Sequence, residues 1–248
     1  MKHRSILVIV ATIVALMACA ACSSLPGTHR PELATVVPPN EVVDFNALYG
    51  QNCAGCHGVD GKGGAAIALA NPVFLAIADD TVIRRIASNG VPGTPMSAFA
   101  QSAGGMLTEK QIDSLVTGIR SWAKPNAFRD QTPPPYAAQI PGDAQRGADA
   151  YRTYCSSCHG ANGRGGSKAS SIVDASYLAL VSDQQLRTIV IAGRPELGAP
   201  DWRGDVEGHA MSAQDISDVV AWLASQRRKF PGQPYPTAAA SPAQGGIQ

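Results

Sequence analysis

Two stretches of this chain set a pair of thiols and an imidazole at one fixed spacing, Cys53-Ala54-Gly55-Cys56-His57 and Cys155-Ser156-Ser157-Cys158-His159. Cysteines three residues apart fall on one face of a helical turn, where both sulfurs can bond a single planar group while the next residue turns its ring toward a metal. C-x-x-C-H is the attachment pattern of a c-type heme, with two thioethers to the vinyl groups and an axial imidazole on the iron. Other uses of paired thiols fit less well. Zinc ribbons separate their pairs by roughly 15–20 residues, whereas these pairs stand 102 residues apart. A thioredoxin-like dithiol needs a βαβ setting that the helical patterning lacks. The spacing predicts two covalently attached hemes c, anchored by Cys53, Cys56, Cys155 and Cys158 and ligated by His57 and His159.

The elements that must position these residues come as a tandem repeat. Gly58-Val59-Asp60-Gly61-Lys62-Gly63-Gly64 follows the first motif and Gly160-Ala161-Asn162-Gly163-Arg164-Gly165-Gly166 follows the second, without a gap. Further on, the apolar spacing from Asp80 to Ile86 ahead of Asn89-Gly90 matches that from Asp183 to Ile189 ahead of Ala192-Gly193, so each predicts a short amphipathic helix stopped by glycine. Each copy closes with a longer helix. Thr108 with Gln111 forms a capping box before Ile112, Leu115, Val116, Ile119 and Trp122. Ser212 opens the counterpart, with Ile216, Val219, Val220 and Leu223 on one face. A large residue and a glycine trade places between the copies. Eight residues before the first motif cysteine stands Phe45 in one and Gly147 in the other, while ten residues after the last cap stands Gly118 in one and Trp222 in the other. The exchange conserves volume if the first and last helices of each copy cross at those positions.

The flanks carry an address rather than chemistry. Lys2, His3 and Arg4 precede an apolar run over 5–21, the pattern of an export signal. Leu16-Met17-Ala18-Cys19 resembles a bacterial lipoprotein cleavage box with Cys19 as the lipidated residue, and Cys22 is the alternative. The expected organisation is a signal over 1–18, a tether over 19–40, a first domain over 41–125, a Pro-rich linker over 126–142, a second domain over 143–229 and a disordered tail over 230–248. Pro133-Pro134-Pro135 and Pro141 in the linker predict an extended spacer between separately folded units. Removing residues 1–18 takes away Lys2 and Arg4 and no acidic residue, which moves the formal charge from +1 to −1. With 16% charged residues near balance there is no basic field for nucleic acid. Lys62 and Arg164, at one repeat position, read as solvated charges.

Each copy resembles a class I cytochrome c domain, and the whole resembles membrane-tethered diheme cytochromes of bacterial respiratory chains. The resemblance implies an all-α fold of two tandem class I cytochrome c-like domains. It implies a methionine on a loop ahead of the last helix as the sixth iron ligand. Gly90-Val91-Pro92-Gly93-Thr94-Pro95-Met96 is similar to that loop and makes Met96 the candidate, ahead of Met106. The second copy departs from the pattern, because Ala199 stands where Met96 does. Met211 is the candidate there, with His209 or an open iron position as alternatives, although Met211 precedes its helix cap as Leu107 does and so reads equally as a hydrophobic staple. The implied role is the relay of single electrons, as a lipid-anchored carrier or as a subunit of a quinol-oxidising or oxidase complex on the periplasmic side of the cytoplasmic membrane, and not turnover of a substrate. Its expected partners are redox proteins, met through an apolar patch with weak salt dependence. The alternative is a heme enzyme or gas-binding protein with an open second iron.

Overall fold

The computed structural model describes residues 36–124, 131–204 and 209–228. The export signal, Cys19 and Cys22, the tether up to residue 35, part of the linker and the tail lie outside the described residues. Among the described residues no helix is long and apolar enough to cross a membrane, and no β-strand forms. The first unit, Met1–Glu41, is described only at its end, where Pro39–Glu41 make a 3-10 turn. The described residues from Val42 onward belong to one compact unit.

In its first half that unit holds α1 (Phe45–Asn52), α2 (Ala54–His57), α3 (Pro72–Ile77), α4 (Asp80–Asn89) and α5 (Glu109–Ser121). The second half repeats them as α6 (Ala144–Tyr154), α7 (Ser156–His159), α8 (Ala175–Leu180), α9 (Asp183–Ala192) and α10 (Ala213–Ser225). The all-α architecture of two cytochrome c-like repeats is the one read from the sequence. Side-chain caps start every helix but the two motif turns: Asp44, Asn71, Asp79 and Thr108 in one half answer Asp143, Asp174, Ser182 and Ser212 in the other. Both final helices carry full capping boxes, Thr108 with Gln111 and Ser212 with Asp215. Helices α4 and α9 stop at Gly90 (φ 66°) and Gly193 (φ 67°), the glycines that follow their apolar patterns in the sequence.

The first and last helices of each half cross where the aromatic and glycine trade places. A Cβ built on Gly118 would lie 2.0 Å from the Phe45 ring, and one on Gly147 would lie 2.0 Å from the Asp218 carbonyl oxygen and 2.8 Å from Trp222 Cβ. The first crossing seats the Phe45 ring against a missing side chain, and the second sets the main chain of Asp218 and the Cβ of Trp222 against one. Tryptophan does a second job by a different route in each half. Trp122 meets Tyr49 edge-on at 5.0 Å, whereas Trp222, one helical turn earlier relative to its cap, stacks on Tyr151 at 4.2 Å. Both rings end beside the glycine-rich loop: a Cβ on Gly61 would be 2.6 Å from Trp122, and one on Gly163 would be 3.3 Å from Trp222.

An arginine at the end of each last helix locks the preceding turn. Arg120 donates to the carbonyls of Leu75 and Ala78 and to Asp80, and Arg227 donates to the carbonyls of Leu178 and Val181 and to Asp183. The carbonyls at the ends of α3 and α8, which have no partner inside those short helices, are satisfied in this way.

The two halves are not separate beads, contrary to the reading of the linker. Asn71 accepts the N–H groups of Val73 and Phe74 at the start of α3, while its Nδ2 donates 2.9 Å to the Ala192 carbonyl at the end of α9. One buried amide thus caps helices from both halves. The linker residues that are described lie on the second half: buried Arg187 donates to the carbonyls of Pro135 and Tyr136 and to Ser217 Oγ, and Gln184 donates to the Tyr136 carbonyl. Composition read the prolines as stiffness alone. A proline has no N–H to give but keeps its carbonyl, and here such carbonyls are what the guanidinium takes. Asn71→Ala is expected to cost about 1–2 kcal/mol of stability, since it orphans two N–H groups and the Ala192 carbonyl; denaturant unfolding of the full holoprotein checks it.

Candidate functional site

Each motif occupies a short turn set at a break in the helical chain. Helix α1 ends at Asn52, Cys53 adopts φ −119° and ψ −37°, and α2 then carries Cys56 and His57. Cys155 makes the same break ahead of Cys158 and His159. The positive φ of Gly58 (80°) and Gly160 (77°) turns the chain back under the motif. The return is too close for side chains. A Cβ on Gly58 would sit 1.7 Å from the Lys62 oxygen and one on Gly64 2.2 Å from the Cys56 oxygen. In the second half a Cβ on Gly160 would sit 2.4 Å from the Gly165 oxygen. The Tyr49 hydroxyl donates to the Gly58 carbonyl and that of Tyr151 to the Gly160 carbonyl, which ties each loop to the first helix of its half. Burial pushes the Tyr49 hydroxyl up to about 12, so it remains a donor.

Both histidines are oriented alike. His57 Nδ1 lies 2.8 Å from the Ile67 carbonyl oxygen and His159 Nδ1 lies 2.8 Å from that of Ser170. A ring that donates from Nδ1 to a carbonyl carries its lone pair on Nε2, the arrangement common to metal-ligating imidazoles. Burial lowers the His57 pKa, the carbonyl bond opposes that shift, and the field of Arg194 adds to it, so the neutral ligating form is favoured. The four cysteines form no disulfide. Burial, reinforced by the neighbouring cysteine of each pair, pushes the thiols of Cys53 and Cys155 up to about 11. A pocket that disfavours a thiolate suits a neutral thioether. Among the described residues no group of three or more His, Cys, Asp or Glu side chains gathers as a zinc site would require. Each half carries, on one short turn, the two thiols and the carbonyl-bonded imidazole that a heme c would use, and nothing in the chemistry of those donors conflicts with that group.

The sixth-ligand candidates separate clearly. Met96 is half-buried on a loop closed by Val91 N–H donating to its carbonyl (2.8 Å) and by Thr94 Oγ1 accepting its N–H. Met106 is 82% exposed and points away from any interior role. The same loop closure recurs as Arg194 N–H to the Ala199 carbonyl at 3.0 Å, which puts Ala199 at the place of Met96. Leu107 N–H donates to the Phe99 carbonyl and Met211 N–H to that of Trp202, so Met211 takes the place of Leu107, 7% exposed in the buried core. His209 is exposed at the edge of the described residues. Lys62 and Arg164 are exposed, as solvated charges would be.

Arg194 is the residue that sequence reasoning missed. From the second half it donates to the carbonyls of Gly64 (2.7 Å) and Ala65 (3.2 Å) in the loop behind the first motif, and it pairs with Glu196. Its repeat counterpart is Val91, so comparison of the copies held no signal for it.

A family model matches the chain twice, in step with the repeat. The family described as cytochrome C oxidase, cbb3-type, subunit III matches residues 40–117 and again 142–223. The cytochrome bc1 complex cytochrome c subunit of Mycobacterium bovis is 24% identical over 178 residues, which is 71% of this chain and 60% of that protein. The subunit of the same description from Mycobacterium leprae is 25% identical over 148 residues, 59% of this chain and 50% of its own length. That from Corynebacterium efficiens is 23% identical over 197 residues, 75% and 63% respectively. The chain thus spans about three-fifths of the curated relatives that it matches. Among solved structures, a chain of the Kuenenia stuttgartiensis reducing HAO-like protein complex aligns at TM-score 0.43 and 21% identity, over 78% of this chain and all of that one.

Proposed function

Because the chain belongs to the cytochrome c family described as cytochrome C oxidase, cbb3-type, subunit III, we propose that it relays single electrons through two covalently attached hemes c, one per half. The observation that carries the reading is the duplicated C-x-x-C-H turn, with the Nδ1 of each histidine on a backbone carbonyl. Heme c supplies one-electron chemistry when bound. The chain's own part is to hold each group by two sulfurs and one imidazole, and to orient both imidazoles through their Nδ1 contacts to backbone carbonyls. His57 and Met96 are the proposed ligand pair of the first half, and a His/Met pair raises the reduction potential relative to a purely imidazole set.

The relatives are named as cytochrome c subunits of a bc1 complex, which supports placing this chain as a tethered subunit or carrier between a quinol-oxidising complex and an oxidase. Export and lipidation at Cys19 would hold it on the periplasmic side of the cytoplasmic membrane. Val59, exposed two residues beyond the motif histidine, supplies apolar surface for docking to redox proteins. Protein made with intact cytochrome maturation is expected to weigh two hemes more than its lipidated polypeptide. The Cys155→Ser, Cys158→Ser variant is expected to weigh one heme more and to lose about half of the visible absorbance. A colourless product, or a wild-type mass with no heme added, would end the proposal.

A further inference from the structure

We infer that the second half leaves an iron coordination position free for a small exogenous ligand of the diatomic π-acceptor class, such as carbon monoxide. The inference rests on the proposed heme in that half and concerns what the chain supplies opposite His159. The loop that presents Met96 in the first half is closed by one backbone hydrogen bond, and the matching bond in the second half presents only the methyl group of Ala199. Four bonds hold this loop in shape: Arg194 N–H to Ala199 O, Ala199 N–H to Arg194 O, Leu197 N–H to Arg194 O and Gly198 N–H to Pro195 O. With Pro195 and Pro200 at its ends, it has little freedom to offer another group.

Among the described residues, the other donors nearby are committed elsewhere or exposed. Glu196 is paired with Arg194, and Asp201 with Arg203. His209 is exposed. Met211 holds the place of Leu107, its N–H bonded to the Trp202 carbonyl and its side chain in the buried cluster with Trp202 and Ile216. Swinging it out would open a leucine-sized hole in the core. The thioether that would close the iron in this half is therefore the one that keeps the core filled. Ligand binding here forms one coordinate bond and moves no electron, so no co-reactant is needed.

The test uses the full-length holoprotein, its heme content fixed by mass, reduced and titrated with carbon monoxide. The expected result is one carbon monoxide per chain, that is, half of the hemes responding. Ala199→Met is expected to suppress the response at least tenfold. Met211→Leu, which installs the residue that the first half already uses, and His209→Ala are expected to leave it unchanged. A diheme mass with no response in the wild type, or a response that appears only in Met211→Leu or His209→Ala, overturns the inference while the electron-relay reading stands. A mass showing no heme in the second half overturns both.

Discussion

Gly147→Ala is expected to destabilise the holoprotein by about 3 kcal/mol, as a lowered denaturant midpoint, although alanine is the better helix former by about 1 kcal/mol. The added methyl would lie 2.0 Å from the Asp218 oxygen and 2.6 Å from its carbon, and those atoms belong to the backbone of α10. The helices must part, and with them the Tyr151–Trp222 stack and the loop over which Trp222 lies. Trp222→Ala should not rescue it, because the obstruction is main chain. Gly118→Ala makes the contrasting case. Its methyl would meet the Phe45 ring at 2.0–2.4 Å, and a ring can be exchanged. The Phe45→Leu, Gly118→Ala double variant is expected to be more stable than Gly118→Ala alone. A double-mutant cycle reads the difference as a coupling energy, and additive effects would refute the crossing described above.

Asp218→Asn is expected to cost about 2 kcal/mol at neutral pH. Its carboxylate, on a residue only 3% exposed, accepts from Asp143 N–H (2.7 Å), Gln214 Nε2 (2.8 Å) and Arg146 Nε and Nη2 (2.8 and 2.9 Å). An asparagine turns one of those acceptors into a donor facing donors. Burial alone would raise the Asp218 pKa, but the bonds from Arg146, Asp143 and Gln214 outweigh it and hold it below the usual carboxylate range. A depressed native pKa means that the unfolded chain takes up the proton first as acid is added. The stabilisation is whole above the unfolded value near 4 and fades as pH falls through the lower native value. The gap between wild type and Asp218→Asn should therefore be widest at neutral pH and narrow below about pH 4. A constant gap down to pH 2 would show that Asp218 is not held ionised by its partners.

What could be read in the sequence was what is local or what repeats. The motif turns, the Thr108 and Ser212 caps and the glycine stops after α4 and α9 depend on residues within a few positions of one another. The exchange of Phe45 and Gly118 for Gly147 and Trp222 was legible because comparison of the copies holds the backbone constant and leaves volume as the variable. The same comparison hid residues that do one job from different registers. Arg120 and Arg227 clamp equivalent carbonyls from positions twelve and fifteen residues after their caps, so alignment never pairs them. The join between the halves was illegible for another reason. Asn71 caps α3, and nothing local shows that its other end reaches Ala192, 121 residues away. Arg194 likewise stands where the first copy has an apolar residue, and two of its side-chain bonds reach the opposite half.

The crossings also bear on how such a gene can drift. Two tandem copies of one ancestral segment invite unequal exchange, in which a stretch of one overwrites its sibling. Were the stretch encoding α10 copied over that for α5, a tryptophan would arrive opposite Phe45 and two large rings would contend for one seat. The reverse copy would set glycine against glycine and leave a hole. Only transfers that carry both members of a crossing yield a sound product, so the first and last helices of each copy should be inherited together and diverge from the sibling copy as a linked pair.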